Sequence, residues 1–177
     1  MRIVAGKYRG RTLCEFDGNK IRPTADKVRE SIFNIIQFKV AGSDFLDLFA
    51  GTGAMGIEAL SRGANSATFN DLSRDSLVLI KKNLEKLKVD ESYKLTSLDA
   101  SIFVKNCTDK FDIVFIDPPY DSKEKSRCLN GVANVLKENG TVIFEDEKEW
   151  IDNADGLVLY DKRKYGRVHL AFFKKGE

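Results

Sequence analysis

Phe45-Leu46-Asp47-Leu48-Phe49-Ala50-Gly51-Thr52-Gly53-Ala54-Met55-Gly56 is the stretch whose reading decides the fold. A short apolar run ends in a glycine-rich turn, and residues 54–62, closed by Gly63, read as a helix. The spacing Gly51-x-Gly53-x-x-Gly56 between a strand and a helix lets the backbone approach a ligand closely and starts the helix tightly. Asp71 stands 20 residues after Gly51, at the end of the next strand-like segment, 66–70. A carboxylate at that place can accept hydrogen bonds from both hydroxyls of a ribose.

Outward from this unit the pattern is alternation. Residues 74–87 carry Leu77, Ile80, Leu84 and Leu87 at helical spacing. Residues 93–97 read as a third strand, 102–105 as a short helix and 111–116 as a central strand. Residues 126–136 read as a helix facing inward through Leu129, Val132, Ala133 and Leu136, and 140–145 as a fifth strand. Strands alternating with helices imply an α/β fold with a parallel sheet covered on both faces. The ends differ. Residues 156–164 and 167–174 have no helix between them and read as an antiparallel hairpin turning at Tyr165-Gly166. The first 13 residues also read as a hairpin, turning through Gly6 to Gly10. After them Arg22-Pro23-Thr24 leads into a helix with Thr24 or Asp26 as N-cap and Val28, Ile32, Ile35 and Ile36 as its apolar stripe.

The chain has 177 residues, 42% of them hydrophobic, which suits one domain, 1–177, with residues 1–20 as a basic extension. Lys and Arg number 29 against 27 Asp and Glu, a formal charge of +2, so nucleic-acid contact must come from local patches. Cys14, Cys107 and Cys128 form no C-x-x-C pair and His169 is the one histidine, which argues against a metal site or a disulfide framework. Reduced thiols, a polar start and the lack of an 18-residue apolar run point to a cytoplasmic protein that neither carries a signal peptide nor spans a membrane.

Asp47 separates two ligand classes. A dinucleotide would set its pyrophosphate beside this acid, a repulsion of roughly 1 kcal/mol for a close pair even in water. S-adenosylmethionine has no phosphate and carries an ammonium and a sulfonium, which the acid suits. The second site is Asp117-Pro118-Pro119-Tyr120, directly after the fourth strand. Ligands of parallel sheets sit at the carboxyl ends of strands, so this tetrapeptide and the glycine loop face one crevice. Two prolines fix the chain and free the Pro118 carbonyl as an acceptor. With the Asp117 carboxylate and the Tyr120 ring, it suits a planar base bearing an exocyclic amine. Asp99, followed by Ala100, offers an acceptor and an N–H to adenine, and is equally an N-cap. Arg2, Lys7, Arg9 and Arg11 make an N-terminal cluster of positive charge suited to RNA phosphates. Lys162, Arg163, Lys164, Tyr165 and Arg167 form a weaker patch, His169 reads as structural, and Phe49 and Met55 read as packing residues.

Asp47-Leu-Phe-Ala-Gly-Thr-Gly53 together with Asp-Pro-Pro-Tyr120 resembles class I S-adenosylmethionine-dependent methyltransferases acting on exocyclic amines. Met1-Arg-Ile-Val-Ala-Gly-Lys-Tyr-Arg-Gly-Arg-Thr-Leu13 and Arg22-Pro-Thr-Ala-Asp-Lys-Val-Arg-Glu-Ser-Ile-Phe-Asn34 narrow the resemblance to bacterial 16S rRNA guanine-N2 methyltransferases. It implies a Rossmann-like, mostly parallel seven-stranded sheet with an antiparallel C-terminal hairpin and an N-terminal β-hairpin. It implies Arg22, Thr24 and Ser31 near the methionine end of the cofactor. Asp47, Gly51 and Gly53 would then hold the amino-acid moiety, Asp71 the ribose, Asp99 and Ala100 the adenine, and Asp117, Pro118 and Tyr120 the guanine. The implied partner is 16S rRNA within small ribosomal subunit particles, bound by a monomer without metal. Asp71 departs from the family's commoner Glu, and Thr52 from its commoner Ser. The competing readings are methylation of adenine N6 or a protein amide, a noncatalytic RNA-binding module, and a nicotinamide-dependent oxidoreductase.

Overall fold

A computed structural model of the chain describes residues 1–17, 23–119, 127–148 and 152–176, with backbone only at 23–25. Seven strands form one sheet in the order β3-β2-β1-β4-β5-β7-β6. They are β1 Asp44–Asp47, β2 Ser66–Asn70, β3 Ser92–Thr96, β4 Phe111–Ile116, β5 Leu136–Asp146, β6 Leu157–Tyr165 and β7 Val168–Lys175. β1 to β5 run parallel, and β7 is antiparallel to both β5 and β6. The helices are α1 Pro23–Ile35, α2 Gln37–Val40, α3 Ala54–Ser61, α4 Arg74–Leu87 and α5 Ala100–Asn106.

The two-residue period of the strands divides the apolar residues between two layers. Phe45, Ala67, Ile113, Phe115, Ile143 and Phe172 face α1, α3 and α4. Leu46, Val114, Ile116, Val142 and Phe173 face α5 and the segment around Cys128. Covering both faces is what makes these strands near-continuous apolar runs. Gly56 belongs to this packing, because a Cβ there would lie 2.3 Å from the Phe69 ring. Helix α3 therefore sits too close to the sheet for any side chain at that position.

Three expectations change. The helix expected over 126–136 is helical only at 127–129 among the described residues, then turns at Gly131 (φ +113) into a 3-10 turn, Val132–Val135. Strand β5 starts at Leu136, which pairs with Phe111 before a register shift brings Thr141 opposite Ile113. Helix α1 already includes Pro23, so neither Thr24 nor Asp26 caps it, and Asp26 instead pairs with Arg29 at 3.2 Å.

The third concerns the N-terminal segment. It doubles back as expected, but through one antiparallel bridge, Arg2 with Thr12, rather than a ladder. It is anchored rather than free. Ile3, Tyr8 and Leu13 are buried in the α1/α3/α4 layer. The amides of Val4 and Ala5 donate to the fully buried Glu58 carboxylate at 2.8 and 3.0 Å, and the Lys7 amide donates to the Ser61 carbonyl at 2.7 Å. Gly6 permits this approach: its φ is +83, and a Cβ would lie 1.7 Å from the Ser61 oxygen.

Candidate active site

The chain runs outward from β1 to β2 and β3, then returns to build β4 and β5 on the other side. That reversal opens a crevice over the carboxyl ends of β1 and β4. A two-lobed cleft lies there. One lobe, about 650 Å³, is walled by Met1, α1, the glycine loop and the β6–β7 turn. The other, about 690 Å³, is walled by the ends of β2 and β3, the start of α5, and Asp117-Pro118-Pro119. Phe49, Asp117, Glu145 and Glu147 line both lobes. Phe49 and Met55 are thus cleft residues as well as packing residues, a correction to the sequence reading.

The glycine loop is held from behind. The Gly53 amide donates to the Ala50 carbonyl at 2.7 Å, and the Ala50 amide to the Asn70 carbonyl at 2.9 Å. Gly51 (φ +52) and Gly53 (φ +78) occupy the left-handed region that favours glycine. Asn70, buried, donates to the Leu48 and Leu98 carbonyls and accepts from Thr96 and the Leu98 amide, tying the ends of β1, β2 and β3 together. Sequence reading passed over it because its work is done entirely with backbone partners and one hydroxyl.

Asp47 closes β1, 1% exposed, and its Oδ2 accepts from the Gly56 amide at 3.1 Å. Burial pushes its pKa up to about 7; the Gly56 bond works against the rise, and the charges of Asp117 and Asp71 add to it. Asp71 accepts from the Gly51 and Ser73 amides, both at 2.8 Å, so it fastens the loop to the start of α4. Asp99 caps α5: its Oδ1 takes the Ser101 and Ile102 amides and the Ser101 hydroxyl, which hold its pKa below the usual range, the hydroxyl most. Asp99 and the neighbouring Ala100 line the cleft. Asp117 opens into the cleft, where burial between its walls and then the charges of Glu147 and Asp146 raise its pKa well above the carboxylate range. Glu145 is raised by the same causes, burial first and Asp117 second.

The structure brings Asp47, Gly51, Asp71, Asp99, Ala100, Asp117 and Pro118 to one cleft. Gly53 stands behind its loop, where a Cβ would lie 2.9 Å from Ile80. Ser31 bonds the Lys27 carbonyl of its own helix at 2.9 Å, and Val28, Arg29 and Ile32 line the cleft from that helix instead. Arg22 and Tyr120, and the side chain of Thr24, lie outside the described residues. The sequence reading missed Glu145 and Glu147, although the run Glu145-Asp146-Glu147 ends a parallel strand, as Asp117 does. It also missed Arg29, which is 3% exposed, donates to the Arg2 carbonyl and faces Glu58 at 3.6 Å. The N-terminal cations divide. Lys7 is paired with Asp90 and Glu91, and Arg11 donates to the Leu87 carbonyl at 3.1 Å, whereas the Arg2 and Arg9 side chains are exposed and make no hydrogen bond or ion pair among the described residues.

A family model described as "Conserved hypothetical protein 95" matches residues 1–174. The ribosomal RNA small subunit methyltransferase D of Haemophilus influenzae is 38% identical over 154 residues, 84% of this chain and 80% of the relative. Its Escherichia coli counterpart is 37% identical over 145 residues, 82% of this chain and 71% of the relative. The solved structure of the Escherichia coli protein yhhF superposes with a TM-score of 0.88 at 28% identity, covering 100% of this chain and 98% of that one. With the strand order, the glycine loop and the acid-lined cleft on the same chain, the conclusion is direct: this protein belongs to that family, the class I S-adenosylmethionine-dependent methyltransferases that include the bacterial small-subunit rRNA enzymes.

Proposed function

We propose that the protein methylates the exocyclic N2 of a guanine in 16S rRNA, using S-adenosylmethionine. The observation that carries this reading is the charge of the cleft. Asp47 and Asp117 meet there with no cation paired to either among the described residues, and burial holds both pKa values up. Such a site is complementary to a ligand that arrives positively charged. Asp47 also takes the Gly56 amide, an N–H that a phosphate would otherwise use, which counts against a dinucleotide.

Bound S-adenosylmethionine supplies an electrophilic methyl group on sulfonium. Asp47 and the loop at Gly51 hold its amino-acid end, and Asp71 keeps lone pairs for the ribose beyond those given to two amides. Asp99 and the Ala100 N–H take the adenine, with Arg22 and Thr24 on the methionine side. Asp117 and the Pro118 carbonyl accept the two hydrogens of the guanine amine, with the Tyr120 ring as stacking face. Orienting that nitrogen, whose lone pair is otherwise delocalised into the ring, supplies much of the acceleration. The base must leave its stack to reach the cleft, as RNA loops allow. The exposed Arg2 and Arg9, with Lys7 and Arg11 beside them, receive the RNA backbone. The substrate is rRNA in small-subunit particles, the enzyme acts as a monomer in the cytoplasm, and no helix among the described residues is long and apolar enough to cross a membrane.

The test is incubation with methyl-labelled S-adenosylmethionine and small-subunit particles from a strain lacking the gene, followed by nucleoside mass spectrometry. Label in N2-methylguanosine at one position is expected. Label in N6-methyladenosine or in ribosomal protein would overturn the reading.

A further inference from the structure

The strand register puts a second carboxylate beside Asp117. Ile116 of β4 pairs with Phe144 of β5, so the next residues, Asp117 and Glu145, stand side by side, about 4.8 Å apart between strands. Both follow residues of the α1/α3/α4 layer by two places, Phe115 and Ile143, so both side chains leave the same face of the sheet. Glu145 lines both lobes of the cleft. Its carboxylate makes no hydrogen bond or ion pair among the described residues, and neither does that of Asp117.

Two adjacent acceptors are more than an amine needs. Asp117 and the Pro118 carbonyl already account for two N–H groups. The Watson–Crick edge of guanine presents a third, N1–H, next to its amine, whereas adenine presents a lone pair at N1. We propose that Glu145 is the specificity-determining residue of the site, accepting the N1–H of the target guanine while Asp117 and Pro118 hold N2. This rests on the methyltransferase reading above. An adenine in the same pose would set its N1 lone pair against the Glu145 oxygen, leaving both unpaired in a confined site, and such mismatches are rejected strongly. The raised pKa of the free pair is compatible with this role, because the positive charge of a bound cofactor draws both groups toward ionisation.

The experiment uses a fragment of small-subunit rRNA spanning the mapped methylation site, made with guanine or with 2-aminopurine at that position. 2-Aminopurine keeps the exocyclic amine but has an acceptor at N1. The parent enzyme should methylate the guanine fragment about 10- to 100-fold faster in single turnover. Glu145→Gln, whose amide donates to an N1 acceptor, should reduce the guanine rate and cut that preference at least tenfold. An unchanged preference in Glu145→Gln overturns the inference. So does a parent enzyme that handles both bases equally, a measurement that does not depend on the variant folding. Neither outcome touches the methyltransferase reading, which is tested separately by where the label goes in small-subunit particles.

Discussion

Asp44 and Asp47 are the first and last residues of the same four-residue strand, yet they live in opposite electrostatic worlds. Asp44, at the amino ends of the parallel strands, accepts from Lys137 Nζ at 2.8 Å, from Asn65 at 2.8 Å and from Ser66 at 2.7 Å. The Lys137 bond is the largest of the influences that bring its pKa down to about 2. The same ammonium reaches Asp112 at 2.8 Å. Asp47, at the carboxyl ends, is more deeply buried, has no cation paired to it among the described residues, and has a pKa pushed up to about 7. At one end of the sheet the carboxylates share a cation supplied by the protein itself. The other is completed only by what binds there. An unpartnered charge in this fold marks function, and a partnered one marks architecture.

The largest effect should come from Asp117→Ala. The side chain opens into the cleft, so its loss leaves no core cavity. What disappears is an acceptor that orients the amine and offsets charge developing on nitrogen, an effect of about 10²–10³ in rate. Single-turnover methylation of small-subunit particles measures it, with cofactor affinity by calorimetry changing little. A parental rate would move the chemistry away from the end of β4.

Asp47→Asn against Lys137→Ala sets the two ends directly against each other. Loss of a hydrogen bond to a charged group, about 1.5–3 kcal/mol, should weaken S-adenosylmethionine binding roughly 10- to 100-fold. The ligand-free protein should be no less stable, because a buried uncompensated acid has been neutralised. Lys137→Ala should do the reverse. It leaves cofactor affinity intact and lowers stability by about 1 kcal/mol or less, since the lysine is partly exposed and its bridges are screened. Denaturant titration and calorimetry on both variants decide it, and equal behaviour would erase the distinction between the ends.

The two ends should also answer to pH in different windows. Asp44, with its folded pKa depressed from 3.8 to about 2, contributes stability that is present above pH 4 and lost as pH falls toward 2. Asp47, raised from 3.8 to about 7, holds a proton in the native state that the unfolded chain has released, so its contribution is present below pH 4 and is lost as pH rises toward 7. Binding a cation expels that proton. Thermal melts from pH 5 to 8 should therefore show the rise in Tm produced by S-adenosylmethionine growing with pH. A rise that is constant across that range would detach Asp47 from the ligand.

The sheet was legible in the sequence because its apolar period and its glycines were strong local signals. Ser66–Asn70, Arg74–Leu87 and Phe111–Ile116 stand where their side chains placed them. The start of β5 was not legible, because Leu136 suits a helix end and a strand start alike and pairing with Phe111 decided between them. Asp47, Asp71, Asp99 and Asp117 were found at the cleft because each ends or follows a parallel strand. Glu145 and Glu147 were missed although the same rule applied to β5, because no motif marks the acids at its end as Pro118 and Pro119 mark Asp117 at the end of β4. Glu58, which gathers Val4, Ala5 and Arg62, was invisible, since its partners are up to 54 residues away in the chain.

The smallest effect carries the comparison over to cations. The Lys7 ammonium is held by Asp90 and by Glu91, the latter at 3.0 Å, and these bonds push its pKa beyond the ordinary lysine range, Asp90 most. Arg9 stands on the same loop, exposed and unpaired among the described residues. A cation that meets a phosphate releases a counterion, and the salt dependence of RNA affinity counts such contacts at roughly 0.7–0.9 in slope each. Lys7 must first leave two carboxylates, whereas Arg9 leaves only water. Arg9→Ala should therefore weaken binding of small-subunit rRNA at low salt and flatten the plot of log affinity against log salt by about one contact. Lys7→Ala should leave the slope as it was, and cofactor affinity should be unchanged in both. Filter binding across a salt series resolves the difference. Equal flattening by the two variants would mean that the carboxylates of Asp90 and Glu91 give Lys7 up to the RNA, and that pairing within the protein does not separate architecture from function on this loop.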